Sequence, residues 1–299
     1  VFRPSPAPSS NSLKALPPPE IMEMDEYYLT RAEHEIFERE KSQILQYISG
    51  GGNAFRLLEL GAGDGLKTRV LLQHFSDAST DFNYCPVDIS PNVLSILEEE
   101  VSKQLPELSV QCISGDYFEA LGKLDHEEGT RNVVLFLGST IGNFNQNQAI
   151  EFLSKLRSYL DKDDMMLIGF DLRKKPDTIL KAYNDPGGIT RRFNLNLLDR
   201  INKELGGNID VDAFDHYPIY NPSTGECKSY LINRSSQKFY LEALDKEYAL
   251  EDWEPIFTEV SKKYSKREIE ELAEKSGFEI INHFYDSNHY FCDSLWIAV

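Results

Sequence analysis

The chain has 299 residues, of which 41% are hydrophobic and 27% charged, a composition that excludes collagen-like and wholly disordered proteins. Lys and Arg total 31 against 49 for Asp and Glu, which gives a formal net charge of -18. Such a surface repels a phosphate backbone, so we expect no nucleic-acid partner. The longest apolar runs, at 133–137 and 165–170, fall far short of the ~20 residues that span a bilayer, so we expect no membrane association.

The N-terminal residues are rich in Pro and Ser, and we predict a separate segment over residues 1–25. This segment lacks the basic start, apolar block and small-residue cleavage site of a secretory signal. The four cysteines are widely spaced, and a chain of this size can build a core without disulfides, so we expect reduced thiols. Both observations favour a cytoplasmic protein.

Apolar spacing then predicts a helix that Thr30 caps and that ends at the glycines 50–52. After it, apolar runs alternate with amphipathic stretches. The predicted strands lie at 55–60, 84–87, 109–113, 132–137 and 165–170, and the predicted helices at about 66–75, 91–104 and 146–160. Strict alternation of strand and helix favours a mostly parallel sheet that helices cover on both faces.

The pattern changes after residue 171. Helices are predicted at 177–183 and 189–205, and the stretch 214–260 consists of strands and turns. A helix at 265–275 and strands at 278–285 and 294–299 resume the first pattern. We therefore predict an α/β core over 26–172 and 262–299, and an α+β lobe over 173–261 to which residues 20–35 contribute.

The segment LLELGAGDGLKT at 57–68 joins a strand that ends in an acid to a Gly-rich turn and a helix start. Gly61 and Gly63 allow positive φ and close backbone approach to a ligand, and a helix N-terminus offers unpaired N–H groups. The spacing is G-x-G-x-G, so the third glycine of the dinucleotide fingerprint is displaced. Taken alone, this motif also fits a Gly-rich turn without a ligand.

Two more turns of this kind follow the next two strands. Asp88 ends the second strand in PVDIS, where a carboxylate can accept hydrogen bonds from both hydroxyls of a ribose; alternatively it caps the next helix. Asp116 and Tyr117 follow the third strand in GDYF, where they can bond an adenine amine and stack on its ring. Three such turns on successive strands are a more specific signal than any one of them.

With these turns, the sequence resembles the class I S-adenosylmethionine-dependent methyltransferases, and it is similar in particular to the histidine Nα-methyltransferase family of ergothioneine biosynthesis. Five segments carry the second resemblance: EYYLTRAE at 26–33, GSTIGN at 138–143, AYNDPGGITRRFNLN at 182–196, DVDAFDH at 210–216 and TEVSKKY at 258–264. The resemblance covers residue 26 to the C-terminus. It implies a Rossmann-like core with a mostly parallel seven-stranded sheet and a C-terminal antiparallel hairpin, plus an α+β substrate-binding lobe.

The resemblance also implies roles for single residues. Those expected to bind the cofactor S-adenosylmethionine, and its product S-adenosylhomocysteine, are Gly61, Gly63, Lys67, Asp88, Asp116 and Tyr117. Those expected to bind the amino-acid backbone are Tyr27, Asn143 and Tyr183, of which Tyr27 and Asn143 are the candidate catalytic residues. Glu259 and Ser261 are expected to bind the imidazole, since a carboxylate can accept an imidazole N–H.

Each substrate residue also has a structural alternative. Tyr27 and Tyr183 fit ordinary half-buried aromatic residues. Asn143 fits a cap of the helix that begins near residue 146, and Glu259 fits a strand residue that faces solvent.

Two features depart from the family pattern. In the family, a stretch like Y-D-x-x-G-S-x-L-F usually precedes the segment that corresponds to EYYLTRAE and helps to close the pocket. In this chain, KALPPPE at 14–20 precedes EYYLTRAE instead. Either the protein lacks this element or the element lies outside this chain. Ser229 stands where the family often has Met against the substrate side chain, and its smaller, polar side chain could admit another acceptor.

The six histidines show no H-E-x-x-H spacing, and no two cysteines lie two residues apart, so we expect no metal. The sequence therefore predicts an enzyme that converts L-histidine to its Nα,Nα,Nα-trimethyl betaine, hercynine. The same chemistry on another amino acid such as tryptophan, and a non-catalytic S-adenosylmethionine-binding protein, are the alternatives. The expected partner is a small-molecule amino acid, and we expect a monomer.

Overall fold

The computed structural model describes residues 19–50, 52–123 and 130–299. Residues 1–18, with most of KALPPPE, lie outside the described residues, and so do Gly51 and His126. The described residues fall into two units. We call residues 19–28 with Lys174–Lys263 the lobe, and Leu29–Arg173 with Tyr264–Val299 the sheet unit.

The lobe begins with α1 (Pro19–Met22). The sheet unit follows with α2 (Leu29–Ser49), β1 (Phe55–Leu60), α3 (Thr68–Asp77), β2 (Phe82–Asp88), α4 (Pro91–Gln104), β3 (Ser109–Val110), β4 (Ile113–Ser114), α5 (Tyr117–Leu121), β5 (Arg131–Phe136), α6 (Gln146–Arg157) and β6 (Met165–Asp171). The chain then forms the rest of the lobe, with α7 (Pro176–Tyr183), α8 (Ile189–Leu205), β7 (Phe214–Asn221), β8 (Glu226–Asn233), β9 (Gln237–Leu241), β10 (Lys246–Leu250) and β11 (Pro255–Lys262). It completes the sheet unit with α9 (Lys266–Ser276), β12 (Phe278–Tyr285) and β13 (Phe291–Ala298).

The strands of the sheet unit form one sheet in the order β12-β13-β6-β5-β1-β2-β3, with β4 also paired to β2. The pairs among β1, β2, β5 and β6 are parallel, whereas β13 is antiparallel to both β6 and β12. The third strand predicted at 109–113 is divided into β3 and β4, which both pair with β2. The predicted fold class, a mostly parallel sheet of seven strand positions with a C-terminal antiparallel hairpin, is confirmed.

Burial explains why the central strands are continuous apolar runs. Every residue of β1 and of β6 is buried, as expected when helices cover both faces of a parallel sheet. Helices α6 and α9 contribute Phe152, Leu156 and Leu272 to the core that also contains Phe136 of β5. The polar ends of the strands therefore stand out as the places where the sheet unit can bind a ligand.

Local predictions failed at helix starts and short elements. Thr30 lies inside α2, which begins at Leu29, so it is not the cap that we predicted. The short helix α5 was not predicted, because five residues are too few to show helical periodicity.

The four cysteines, all described, are free thiols. In the described part of the chain, no helix combines the length and apolarity needed to cross a membrane.

Hydrogen bonds tie together the two points at which the chain leaves and re-enters the sheet unit. The N–H of Arg173 donates to the Tyr264 carbonyl at 2.9 Å, and the N–H of Tyr264 donates to the Asp171 carbonyl at 2.8 Å. An ion pair of 2.9 Å between Arg173 and Glu268 lies in the same region. The segment Lys174–Lys263 is therefore inserted between residues that are hydrogen-bonded to each other. We call Asp171, Arg173 and Tyr264 the closed junction.

The lobe consists of two antiparallel sheets and the helices α1, α7 and α8. One sheet has the order β11-β8-β7 and the other pairs β10 with β9. Residues of β8 alternate between half-buried and buried, which is the period of a strand with one face on a core. Its Leu231 packs with Leu198 of α8 and Phe214 of β7. The predicted α+β lobe is therefore present.

Candidate active site

The Gly-rich turn after β1 brings Gly61 against Tyr117. Gly61 has φ +75, and its N–H donates to the Val87 carbonyl at 2.8 Å. A Cβ at this position would lie 2.7 Å from Tyr117 Oη. Gly63 has φ +55, and its N–H points to Asp88 Oδ2 at 3.3 Å. The turn therefore needs glycine at Gly61 for backbone conformation and for space.

Asp88 lies at the end of β2 and binds backbone groups on both sides. Its Oδ1 accepts from the Ser90 N–H at 2.9 Å. The cap of α4 is Ser90, whose Oγ accepts from the Val93 N–H at 3.4 Å. The alternative in which Asp88 caps α4 is therefore wrong, and the carboxylate is held at the carboxyl edge of the sheet beside the glycine turn.

Asp116 has one oxygen in use and one without a partner. Its Oδ1 caps α5 by accepting from the Phe118 N–H at 2.9 Å. Its Oδ2 is buried and has no hydrogen-bond partner among the described residues. Because an unsatisfied buried acceptor is costly, this atom fits a ligand that carries a hydrogen-bond donor.

Tyr117 presents a fixed, protonated phenol next to this acceptor. Its ring meets Phe136 and Phe152 edge-on, at centroid distances of 6.2 and 6.4 Å. Burial, with the Asp88 and Asp116 carboxylates nearby, raises the pKa of Tyr117. The aromatic neighbours hold the ring where it can pack on a planar ligand.

Lys67 immediately precedes α3 and binds a buried acid of α2. Its Nζ donates to Glu33 Oε2, and Glu33 Oε1 accepts from the Gly138 N–H at 2.7 Å. Burial opposes the charged lysine, but Glu33, assisted by Asp293 and Glu59, outweighs it and raises the pKa of Lys67. Lys67 is therefore a cation beside the glycine turn, positioned by Glu33.

Glu33 and Asp293 were missed in the sequence analysis. Both are fully buried, and neither Asp293 oxygen has a hydrogen-bond partner among the described residues. Burial, together with the negative charge of Glu33, raises the pKa of Asp293 well above its usual range. The available signal for Asp293 was its position inside the apolar run FCDSLWIA, where a charged residue is rare without a partner.

Asn143 ends a short 3₁₀ helix, Thr140–Asn143, that follows β5 in the sheet unit. It is exposed, and its side chain makes no hydrogen bond within the described residues. The capping box of α6 belongs to Asn145, which exchanges hydrogen bonds of 3.0 Å with Gln148 in both directions. The alternative in which Asn143 caps this helix is therefore wrong.

In the lobe, strand register places Ser229, Glu259 and Ser261 on one sheet face. Glu259 is paired with Ser229, and Ser261 with Cys227, across β11 and β8, and directly paired residues share a face. Glu259 Oε1 accepts from Ser229 Oγ at 3.3 Å and from Asn194 Nδ2 at 3.4 Å. The half-buried Glu259 is thus held by donors, contrary to the alternative in which it faces solvent. Ser229 is 1% exposed, and its hydrogen bond helps to position the Glu259 carboxylate.

Tyr183 and Ser261 come together around a lysine that was also missed. Tyr183 Oη donates to Ser261 Oγ at 2.8 Å. Lys263 is fully buried, and its Nζ donates to both oxygens at 2.7 Å. The signal was available, because Glu259, Ser261 and Lys263 alternate along the chain and a strand puts alternate residues on one face.

Tyr27 and His216 also belong to the lobe. Tyr27 is half-buried, and its N–H donates to the Met24 carbonyl at 3.1 Å; the role of its side chain stays a prediction. His216 of β7, which was not predicted, has its Nε2 buried without a partner among the described residues. Burial lowers the pKa of His216, against an opposing effect of Glu259.

Within the described ranges, no cluster of three or more His, Cys, Asp or Glu could hold a metal ion.

A parallel sheet with the antiparallel β13 between β6 and β12, a Gly-rich turn after β1, and acids after the next two strand positions define a class I S-adenosylmethionine-dependent methyltransferase. The family described as "Histidine-specific methyltransferase, SAM-dependent" matches residues 19–298. The chain belongs to this family, so the predicted family and cofactor are confirmed.

Two histidine N-alpha-methyltransferases agree with this assignment. The chain is similar to the histidine N-alpha-methyltransferase of Mycolicibacterium smegmatis, with 36% identity over 85% of this chain and 78% of that protein. Its similarity to the enzyme of the same name from Mycobacterium tuberculosis is 32% identity over 89% of this chain and 81% of that protein. A solved S-adenosylmethionine-dependent methyltransferase from Clostridium acetobutylicum aligns with a TM-score of 0.46 and 13% identity, covering 88% of this chain and 92% of that one.

Proposed function

We propose that the protein transfers three methyl groups in turn from S-adenosylmethionine to the α-amine of L-histidine, which gives hercynine, the first step of ergothioneine biosynthesis. The observation that carries this proposal is the position of Glu259. Ser229 and Asn194 donate to Oε1 of this carboxylate, and Ser261 follows it on the same sheet face. A fixed acceptor beside a hydroxyl matches the N–H and the lone-pair nitrogen of an imidazole.

The residues present in the sheet unit fit the cofactor. We assign Asp88 to the ribose hydroxyls, Asp116 Oδ2 and Tyr117 to the adenine, and the Lys67 cation to the carboxylate of the methionine part. Gly61 and Gly63 let the backbone approach the ligand. The unsatisfied Asp116 Oδ2 supports this assignment independently of the family resemblance. When bound, the cofactor supplies an electrophilic methyl group on a sulfonium.

The protein's part in the reaction is to orient the α-amine. An α-amine of reference pKa ~8 is mostly protonated at neutral pH, so a proton has to leave before each transfer. We assign Tyr27, Asn143 and Tyr183 to the amino-acid backbone, with Tyr27 and Asn143 orienting the lone pair of the amine. Orientation of this kind can lower a barrier by ~7 to 11 kcal/mol.

We assign cofactor binding to the core over 26–172 and 262–299, and acceptor binding to the lobe over 173–261 with a contribution from 20–35. The separate segment that we predicted over residues 1–25 lies mostly outside the described residues and stays a prediction. We further propose that the protein is a cytoplasmic monomer without a nucleic-acid partner. The net charge of -18 supports the last point.

The decisive experiment is mass spectrometry of the protein incubated with S-adenosylmethionine and the twenty amino acids in one mixture. We expect histidine alone to gain one, two and then three methyl groups. A methylated tryptophan would move the acceptor assignment, with Ser229 as the first residue to examine. Cofactor binding without any product would instead indicate a non-catalytic binding protein.

The role of Glu259 is tested by Glu259→Ala. Loss of a charge-assisted hydrogen bond costs about 1.5 to 3 kcal/mol, so we expect histidine affinity to fall about 10- to 100-fold while cofactor affinity is unchanged. Calorimetric titration with each ligand measures both. Glu226→Ala is the matched control, because Glu226 lies on β8 and pairs with Lys228. Equal loss of both affinities, or of neither, would contradict the assignment.

A further inference from the structure

Lys263 lies immediately after β11, the strand that carries Glu259 and Ser261, and none of its surface is exposed. Its Nζ donates hydrogen bonds of 2.7 Å to Tyr183 Oη and of 2.7 Å to Ser261 Oγ. Tyr183 Oη in turn donates to Ser261 Oγ at 2.8 Å. The three groups therefore form a closed triangle of hydrogen bonds inside the lobe.

The chemistry of the lysine sets the direction of its own two hydrogen bonds. An ammonium has three donors and no acceptor, so the oxygens of Tyr183 and Ser261 both accept from Lys263. Ser261 Oγ accepts a second hydrogen bond from Tyr183, which occupies both of its lone pairs. What Ser261 still offers to a ligand is its hydroxyl proton. A serine outside such a triangle can rotate to accept or to donate, whereas this one donates.

We propose that Lys263 is a positioning residue that makes Ser261 a hydrogen-bond donor and thereby selects a neutral imidazole ring, in one tautomer, as the side chain that the lobe binds. The inference rests on the proposed function. Ser261 donates to the ring nitrogen that carries the lone pair, and Glu259 accepts from the ring N–H. An indole has an N–H and no such nitrogen, so the same arrangement discriminates against tryptophan.

Other charged groups of the lobe also act near Glu259. Burial lowers the pKa of His216 on β7, Glu259 and Asp185 act to raise it, and Arg191 of α8 acts to lower it. Lys263 is the cation in direct contact with Ser261, and its charge disfavours an imidazolium nearby. The other groups are retained when Lys263 alone is replaced, so a difference between wild type and variant reports on Lys263.

The protonation state of bound histidine tests the proposal directly. The experiment uses the full chain and L-histidine labelled with ¹⁵N in its ring, because the nitrogen chemical shifts distinguish protonated from unprotonated ring nitrogens. At pH 6 a free imidazole of reference pKa ~6.5 is largely protonated. We expect the wild-type protein to hold the ring with one protonated nitrogen. We expect Lys263→Met to hold it with two, because Ser261 can then turn and accept.

A double-mutant cycle tests whether Lys263 acts through Ser261. At pH 8, where the ring is neutral, we expect Lys263→Met and Ser261→Ala each to weaken histidine binding about 3- to 10-fold, the range for one hydrogen bond. The double variant should bind about as weakly as Ser261→Ala alone. Lys228→Met, which removes a lysine of β8 paired with Glu226, is the matched control and should change neither readout. Cofactor binding and the melting temperature report whether each variant is folded.

Two results would overturn the inference while the proposed function stands: the same ring protonation in wild type and Lys263→Met, or additive losses of affinity in the double variant. If Lys263→Met does not fold, Ser261→Ala takes its place, and a histidine affinity at pH 8 equal to that of wild type overturns the proposal, because Ser261 would then donate no hydrogen bond to the ring. A wild-type protein that binds no histidine would overturn the proposed function, and this inference with it. The wild-type titration alone separates that case.

Discussion

At the scale of single residues, Gly61 combines a backbone requirement with a packing requirement. A Gly61→Ala side chain would be strained at φ +75 and would meet Tyr117 Oη at 2.7 Å. Strain in the left-handed region costs about 1 to 2 kcal/mol, and overpacking costs about 1 to 3 kcal/mol more. Because Tyr117 is assigned to the adenine, we expect cofactor affinity to fall about tenfold or more in calorimetric titrations.

The matched control is Gly188→Ala. Gly188 has a similar φ of +67, but nothing lies within 4 Å of the added Cβ. This variant should show the loss of stability that comes from backbone strain, measured by chemical unfolding, with cofactor affinity unchanged. Equal cofactor affinities in the two variants would show that contact with Tyr117 is unimportant for binding.

Prediction from the sequence succeeded for residues that belong to a strand-end motif and failed for residues whose partners are distant in sequence. The glycine turn and the acids Asp88 and Asp116 could be predicted from the sequence, because each stands at a fixed place in a motif at the end of a strand. Lys67 meets Glu33, and Lys263 meets Tyr183, only through tertiary structure. A lysine normally indicates a solvated surface, so a single sequence gives little reason to bury either one.

At the scale of elements, the end of β5 leads into two asparagines with different environments. Asn143 is exposed at the end of the 3₁₀ helix, whereas Asn145 forms the capping box of α6 with Gln148. Replacing a capping side chain by Ala costs about 0.5 to 2 kcal/mol. We expect Asn145→Ala to lower the free energy of unfolding by that amount and to leave KM for histidine unchanged.

Asn143→Ala should behave in the opposite way. Its side chain has no hydrogen bond to lose within the described residues, so the unfolding curve should match that of wild type. The rate of histidine methylation should fall, because the amide is assigned to the α-amine. Steady-state kinetics and denaturant unfolding on both variants check this pair, and an exchange of the two phenotypes would contradict it.

Element boundaries were predictable where burial and periodicity coincide. The predicted bounds of β1, α4, α8 and β12 agree with the structure, since long apolar runs or helical spacing define them. The third strand position was predicted as one element and consists of two short strands. Its residues are half-buried or exposed, so the sequence carries little signal of where pairing stops.

At the scale of the whole molecule, the buried Glu59 makes stability depend on pH. Burial raises its pKa from 4.5 to about 7, although Thr68 and Tyr84 donate hydrogen bonds to it. The folded state therefore holds a proton that the unfolded state has lost between pH 4.5 and 7. The free energy of unfolding should fall as the pH rises through this window, by up to about 1.4 kcal/mol per pH unit.

Chemical unfolding between pH 5 and 8 measures this dependence. In Glu59→Gln, which mimics the protonated acid, we expect the decline between pH 5 and 7 to be reduced. Glu99→Gln is the control, because this substitution removes the same charge from an exposed residue that pairs with Lys103. Parallel curves for wild type and Glu59→Gln would refute a buried, protonated Glu59.

The closed junction formed by Asp171, Arg173 and Tyr264 has a consequence for how such enzymes diversify. Since the residues that flank Lys174–Lys263 are hydrogen-bonded to each other within the sheet unit, the two ends of the insertion stay together whatever its length. Loop-closure entropy rises only slowly with length. The acceptor-binding segment can therefore be lengthened, shortened or exchanged by recombination while the cofactor turn is inherited unchanged.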